Sequence, residues 1–363
     1  MKKFKLGCVI AAAAMVFSMA ACGNKEETTT TTTTEPTVEI TEAEFPDTSE
    51  AVTEVQHEGY YNDLTGEWNT ERTTPYGRPI SVMINNIIDA MPQSDVSKAD
   101  IVYECVVEGG ITRLLAIFND YDNIEKLGSI RSCRHYYVTI ANEFDSIYLH
   151  YGQSPQGQDM IDSTGINDLS GLSAEGSTVY YRSSDRSAPH NVYTTTDMIK
   201  AGIEYKGYST EHPSDFKSVF KFNDEVVTPE GGETANKITT AFDSSRTPWF
   251  EYHSDDGLYY RFQYGEEHID DVTGEQLKYE NVLIQFAEYS TIDDYGRQDI
   301  ALVGKGDGYY ASNGVIVPVT WEKTSLNSQT KYYTADGEEL KLNPGKTWVT
   351  VFEKNDKSNV TYE

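Results

Sequence analysis

The chain has 363 residues, and its 29 lysines and arginines stand against 58 aspartates and glutamates, a formal net charge of -29. This balance excludes a nucleic-acid-binding protein, because binding to a phosphate backbone requires a basic stripe. It also argues against attachment to anionic lipid by charge alone. No apolar run reaches the roughly 18–20 residues that a membrane-spanning helix requires.

The N-terminus has the pattern of a secretory signal peptide. A basic region with Lys2, Lys3 and Lys5 precedes an apolar stretch over residues 7–17, and Ala-Ala-Cys-Gly follows at residues 20–23. This ending resembles a bacterial lipobox, in which small residues precede the cysteine that receives the lipid. We therefore predict a signal peptide and lipobox over residues 1–22. Cys22 would anchor an extracytoplasmic protein to the outer face of the cytoplasmic membrane.

Residues 23–73 are predicted to form a disordered tether. They include seven consecutive threonines at 28–34, followed by a segment rich in glutamate and threonine. Low hydrophobicity and acidic charge do not offset the entropy of ordering such a segment. The like charges also extend it. We expect the tether to hold the folded part within the cell wall of a Gram-positive organism.

The next segment, residues 74–215, alternates between strand and helix patterns. Residues 80–84 are predicted as a strand, and residues 100–108 and 111–119 as a hairpin around Gly109-Gly110. Ser132 is a candidate helix N-cap, and Ser154-Pro155 is typical of a second helix start. Strands that alternate with helices indicate a layered mixed α/β domain.

The second half is predicted to be mostly antiparallel β-structure. Residues 216–245, rich in proline, glycine and threonine, form an interdomain passage, and residues 246–355 contain short strand-like runs separated by turn signals. Such turns occur at Asn313-Gly314 and Asp336-Gly337. The chain as a whole is therefore predicted to belong to the α+β class.

Several motifs resemble the YerB-like lipoprotein family, a two-part domain of unknown function (DUF3048) found mainly in Firmicutes. The resemblance covers roughly residues 75–355 and rests on segments 78–86, 97–104, 108–113, 128–132, 188–194 and 342–348. It implies an extracytoplasmic lipoprotein with a compact mixed fold and no assigned reaction. It also implies a small residue in place of Cys133, which argues against a catalytic thiol. Whether Cys105 and Cys133 form a disulfide is left open.

The first candidate site is an anion pocket in the first domain. Arg131 and Arg134 flank a predicted helix start, where free N–H groups and the helix dipole favour negative charge. The pocket is completed by side chains from loops that follow predicted strands and gather at one edge of the sheet, namely His150, Ser154, Arg186, His190 and Asn191. The alternative is that these arginines form ion pairs with acidic neighbours.

The second candidate is an acidic face on the predicted hairpin. A two-residue Gly109-Gly110 loop would place Val106 opposite Arg113, so that Glu104, Glu108 and Arg113 share one face. Two carboxylates would suit glycoside hydrolysis. The favoured alternative is a salt-bridged sheet face, because arginine lowers the pKa of neighbouring carboxyl groups and a general acid needs the opposite.

These observations favour a non-catalytic cell-envelope protein that binds an anionic small molecule or a cell-wall polymer. We predict no catalytic residue, no cofactor and no metal site, because no His or Cys spacing typical of zinc occurs. One alternative is a wall-modifying enzyme, either a phosphoryl transferase or a glycoside hydrolase. Another is an assembly factor that binds a membrane wall-synthesis protein.

Overall fold

The structure is a computed structural model that describes residues 57–363. The predicted signal peptide over residues 1–22, including Cys22, lies outside the described residues, as do residues 23–56 of the predicted tether. Within residues 57–363, no helix is both long enough and apolar enough to cross a membrane.

The folded part includes the end of the segment predicted as a tether. Strands β1 (Tyr60–Asn62) and β2 (Glu67–Asn69) form a hairpin in which Asn62 and Leu64 are buried. Asn62 donates to Asp100 at 2.9 Å, which joins the hairpin to the main body. The predicted tether boundary at residue 73 is therefore too far along the chain.

The first half of the described chain then contributes eight strands and four helices. In chain order they are β3 (Ile80–Asn85), β4 (Ile101–Val106), β5 (Thr112–Phe118), β6 (Leu127–Gly128), α1 (His135–Glu143), β7 (Ile147–His150), α2 (Pro155–Thr164), β8 (Asp168–Ser170), α3 (Gly176–Val179), β9 (Tyr181–Arg182), β10 (Val192–Thr194) and α4 (Thr196–Lys206).

The second half is built of strands, with one 3-10 segment at Lys354–Asn359. The strands are β11 (Lys221–Phe222), β12 (Glu233–Thr234), β13 (Lys237–Thr240), β14 (Trp249–His253), β15 (Leu258–Gln263), β16 (Glu266–Glu267), β17 (Lys278–Tyr279), β18 (Asn281–Ala287), β19 (Tyr289–Thr291), β20 (Gln298–Ile300), β21 (Gly304–Ser312), β22 (Val315–Lys323), β23 (Lys331–Tyr333), β24 (Lys341–Leu342), β25 (Thr347–Glu353) and β26 (Val360–Tyr362). The prediction of the α+β class is confirmed.

One central sheet contains strands from both halves of the chain. Its order is β12-β22-β21-β18-β25-β4-β5-β3-β7-β8, with β23 paired to β22. The halves join where β25 runs parallel to β4, with Thr347 opposite Ile101. The predicted interdomain passage, residues 216–245, therefore separates two parts of the sequence that share a single sheet. Residues 57–363 accordingly lie in one compact unit.

Both faces of this sheet are covered. Helix α1 packs on one face through Tyr136, Tyr137 and Ile140. Helix α4 and a second sheet, with strand order β16-β15-β14-β13-β26, pack on the other. Because both faces are covered, β3 and β5 are buried at every position rather than at alternate ones.

The predicted helix starts are partly confirmed. Ser154 caps α2 by accepting from the backbone N–H of Gly157 at 3.0 Å, with Pro155 at the first helical position. Ser132 does not cap α1: its hydroxyl donates to the carbonyl of Tyr151, and Arg134 occupies the cap position.

The predicted register of the β4–β5 hairpin is wrong by one residue. The loop contains three residues, Glu108–Gly110, and both glycines have positive φ. Cys105 therefore lies opposite Arg113, and Glu104 lies opposite Leu114. Because a slip of one residue moves side chains to the other face of a strand, Glu104 and Arg113 lie on opposite faces of the sheet.

Candidate functional site

The candidate site lies at one edge of the central sheet. The carboxyl ends of five parallel strands lie at this edge: β25, β4, β3, β7 and β8. The antiparallel strand β5 begins at the same edge. Loops that follow parallel strands collect at this edge, which is the usual position of ligand sites in open sheets of this kind. Residues 107–111 follow β4 and residues 151–154 follow β7. Residues 129–134 follow β6 and reach the same edge through backbone hydrogen bonds to the end of β3.

Three guanidinium groups lie near one carboxylate at this edge. We call these four side chains the arginine cluster: Arg113, Arg131, Arg134 and Glu108. Arg134 binds Glu108 in a bidentate manner, with nitrogen–oxygen distances of 2.5 and 2.8 Å. Burial alone would raise the pKa of Glu108, but Arg134 and Arg113 outweigh it and lower that pKa. The two arginines thus favour the charged form of Glu108.

Arg113 is the most buried member of the arginine cluster, with 4% of its surface exposed. It donates to the carbonyl of Ser132 at 2.6 Å and lies 3.9 Å from Glu108. Its Nε has no hydrogen-bond partner among the residues that the structure describes. Burial and the neighbouring charge of Arg134 lower its pKa to about 10. Glu108 is therefore insufficient to neutralise the groups around it.

Arg131 and Arg186 have no carboxylate partner among residues 57–363. The half-buried Arg131 donates to the carbonyl of Pro189 at 3.2 Å, and its Nε has no partner. Arg186 donates to the carbonyl of Pro92, and its buried NH1 has no partner. The expected pairing of these arginines with acidic neighbours is thus found for Arg134 but not for Arg131 or Arg186.

His190 lies beside this group on the loop that Arg131 contacts. The side-chain amide of Asn85, at the end of β3, donates to His190 Nδ1 at 2.8 Å, which leaves the ring proton on Nε2. Burial and the charges of Arg131 and Arg186 lower the pKa of His190, against the opposing effect of Asp89. Nε2 of His190 has no hydrogen-bond partner among residues 57–363.

The other predicted pocket residues serve the local structure. Asn191 accepts from Arg182 at 2.8 Å and donates to the carbonyl of Ser183, which fixes its own loop. His150 is fully buried between Asp168 and the carbonyl of Gly152. Ser154 has its hydroxyl engaged as the cap of α2. Of the predicted pocket residues, the structure thus brings together four: Arg131, Arg134, Arg186 and His190. The other three, Asn191, His150 and Ser154, have separate structural roles.

Glu104 is separated from Glu108 and Arg113. It faces the second sheet, where Arg261 of β15 binds it at 2.7 Å, and neither side chain is exposed. Thr112 and Asn86 also donate to Glu104. Burial outweighs these partners and raises its pKa. The prediction of a shared acidic face is wrong because the hairpin register differs, and the two glutamates do not form a catalytic pair.

Sequence patterns did not reveal Arg261. It lies 157 residues from Glu104 in the chain. Its only signal was a charged residue in an aromatic strand, Tyr259-Tyr260-Arg261-Phe262.

The two cysteines of the folded part are free and buried. Burial raises the pKa of the Cys133 thiol to about 12, so proximity to arginine does not activate it as a nucleophile. Among residues 57–363, no three His, Cys, Asp or Glu side chains are grouped so as to hold a metal ion.

A surface cavity of about 500 Å³ lies away from the arginine cluster, lined in part by Arg78, Asp145 and His212. Arg78 there donates to the carbonyl of Asp145 at 2.8 Å and to Asn167 at 2.7 Å. These bonds tie the start of β3 to the loops on either side, so the conspicuous Arg78-Pro79 segment has a structural role.

Fold and site together define an α+β protein with a mixed sheet built from both halves and an excess of positive charge at one sheet edge. Comparison with known proteins agrees with the family predicted from the sequence motifs. Residues 64–209 match the family model "Protein of unknown function (DUF3048) N-terminal domain", and residues 238–349 match the corresponding C-terminal domain. The chain belongs to the DUF3048 family, as its motifs predicted.

A relative from Bacillus subtilis (strain 168) bears the name "Putative lipoprotein YerB". It is 34% identical over 300 residues, covering 82% of this chain and 88% of the relative. The crystal structure of the YerB protein from Bacillus subtilis superimposes with a TM-score of 0.73 and 32% identity, covering 84% of this chain and 99% of that one. The similarity therefore extends across both family domains.

Proposed function

We propose that this protein is a lipid-anchored, extracytoplasmic binding protein without catalytic activity. It recognises an anionic small molecule or an anionic cell-wall component at the arginine cluster, together with Arg186 and His190. The lipobox ending at Cys22 and the similarity to a protein named as a lipoprotein support the anchor.

The observation that carries the proposal is the imbalance of charge at the arginine cluster. Three guanidinium groups lie near one carboxylate, in a chain whose net charge is -29. Nε of Arg113 and Nε of Arg131 are buried, and neither has a hydrogen-bond partner within residues 57–363. Because unsatisfied buried donors are costly and arginine suits carboxylate and phosphate, a bound anion would stabilise this arrangement.

Binding is favoured over catalysis by the state of the carboxylates. Glu104 and Glu108 lie on different sides of the sheet, and each is bound to an arginine. A glycosidase needs two carboxyl groups facing one substrate, one of them protonated. The lowered pKa of Glu108 opposes that role.

The test measures anion binding by the purified full chain. Teichoic-acid fragments, muropeptides and sugar phosphates are titrated while the melting temperature is followed. We expect a saturable rise with a phosphate-bearing ligand. Arg131→Ala should weaken the affinity roughly tenfold or more, since a charge-assisted hydrogen bond contributes about 1.5–3 kcal/mol. Arg131 is chosen because no carboxylate would be left unpaired by its removal.

The matched control is Arg72→Ala, which removes the same charge at the opposite edge of the sheet, where Arg72 binds Asp120. Its affinity should equal that of the unaltered chain. The proposal fails if none of the anions saturates, or if the two variants lose affinity equally.

A further inference from the structure

A second site, away from the arginine cluster, occurs where motifs of the two family domains meet. The cavity has a volume of about 250 Å³. Ser97 belongs to a motif of the first domain and Lys346 to a motif of the second, and the walls also include Glu67 of β2 and Glu280. No role in the proposed anion binding falls to these residues.

Glu280 is the central group of this cavity. Only 6% of its surface is exposed, yet it lines the cavity wall. One carboxylate oxygen accepts from the hydroxyl of Ser312 at 3.1 Å, and the other has no hydrogen-bond partner among residues 57–363. Burial, with Glu67 and Asp256 nearby, raises its pKa to about 7.

The charge of the cavity is negative on balance. Glu67 and Glu275 line it with Glu280, and none of the three forms an ion pair among the described residues. Two lysines also line the cavity. Lys278 pairs with Asp256 at 3.3 Å, and Lys346, which lies near Glu67 and Glu275, donates to the carbonyl of the wall residue Ser97. Among the described residues neither lysine forms an ion pair with Glu280, so this carboxyl group is left without a cation.

Gly345 permits this arrangement. Its φ of +135° disfavours other residues, and a Cβ there would lie 2.6 Å from Cβ of Glu280. The Asn-Pro-Gly-Lys segment at 343–346 thus brings backbone close enough to bury the Glu280 carboxyl at the cavity wall. This close approach explains why glycine stands at position 345 in the second-domain motif.

We propose that this cavity binds the primary ammonium group of a ligand, with Glu280 and Glu67 as its counter-ions. Leu258 and Pro344, which also line the cavity, would contact the carbon chain that carries the amine. An ammonium ion fits better than a multivalent metal, because no metal-holding group of three His, Cys, Asp or Glu occurs among residues 57–363.

The experiment titrates the full chain with Nα-acetyl-lysine methylamide by calorimetry at pH 7, in two buffers that differ in ionisation enthalpy. We expect saturable binding with net proton release, because an arriving ammonium group favours the charged form of Glu280. For the same reason the affinity should rise between pH 6 and pH 8. The Nε-acetylated probe, which lacks the positive charge, should not bind.

Two variants and one control separate this site from general surface charge. Glu280→Gln keeps the shape and should weaken binding roughly tenfold and abolish proton release. Glu67→Gln, on the exposed hairpin, should weaken binding without loss of stability. Glu266→Gln, on the exposed strand β16, should have no effect.

Equal binding of the acetylated and free probes would overturn the proposal, as would unchanged binding in both Glu280→Gln and Glu67→Gln. Calcium chloride is titrated in parallel. Saturable calcium binding that depends on Glu280, with no amine binding, would identify a metal site instead and overturn the ammonium assignment.

Discussion

At the scale of single residues, the pair of Glu104 and Arg261 links the two sheets. Both side chains are fully buried and 2.7 Å apart. The guanidinium of Arg261 also lies between the rings of Phe250 and Trp348, at 4.9 and 4.5 Å from their centroids. Such a pair loses much of its attraction to desolvation, but either charge without the other is strongly unfavourable.

Removing one partner of this pair should therefore cost more than removing both. We expect Glu104→Gln or Arg261→Met to lower the free energy of unfolding by about 3–5 kcal/mol. The double variant Glu104→Gln with Arg261→Met should recover most of that loss, because no buried charge remains. Urea denaturation followed by fluorescence measures all three.

If the loss of unfolding free energy in the double variant equals the sum of the two single losses, the two side chains do not interact. If each single variant loses less than about 1 kcal/mol, water reaches the pair.

At the scale of elements, tight loops determine which side chains meet. The β4–β5 loop holds three residues instead of the two that Gly109-Gly110 alone predicts, because Glu108 joins the turn and binds Arg134. That single extra residue directs Glu104 toward Arg261 and Arg113 toward α1. A local pattern of glycines could not reveal a loop length that depends on a distant arginine.

A second loop, at residues 343–346, gives a prediction at this scale. Gly345→Ala should destabilise the chain by about 1–3 kcal/mol, because it adds a clash with Glu280 to the strain of positive φ. Gly337→Ala is the matched control: its φ is +82°, but nothing lies within 4 Å of the added carbon. The difference between the two melting curves isolates the clash.

If Gly337→Ala proves as destabilising as Gly345→Ala, the close approach to Glu280 contributes nothing to the loss of stability. Backbone strain would then explain both variants.

At the scale of the whole molecule, the two family domains are not separable bodies. Residues 347–350 of β25 pair in parallel with residues 101–104 of β4, inside a continuous sheet. Separation would expose the unpaired edges of both strands and the apolar faces on either side. The connection between the halves, in contrast, is exposed at Glu230 and Gly231.

Cutting that connection should leave the molecule intact. We expect a chain with a protease site inserted between Glu230 and Gly231 to remain one folded particle after cleavage. Size-exclusion chromatography should show both fragments eluting together until denaturant is added. Residues 57–230 produced alone should aggregate or fail to fold.

Fragments that separate after cleavage and each retain a cooperative melting transition would refute the view that the sheet holds the halves together.

The sequence alone determined the family, the α+β class, the cap of α2 and the type of most elements, because these depend on neighbouring residues and on local periodicity. It also named all four side chains of the arginine cluster, but it placed them in two separate candidate sites. Only the tertiary structure decided how these charges are balanced: Glu108 pairs with Arg134, while Arg131 has no carboxylate partner in the described part of the chain.

Only the tertiary structure likewise showed that Glu104 pairs with Arg261 and that Glu280 lies beside Gly345, because these partners come from distant parts of the chain. The physical reason is that the energy of a buried charge depends on what surrounds it in space. Strand order and register fix those surroundings, and no local pattern in the sequence contains them.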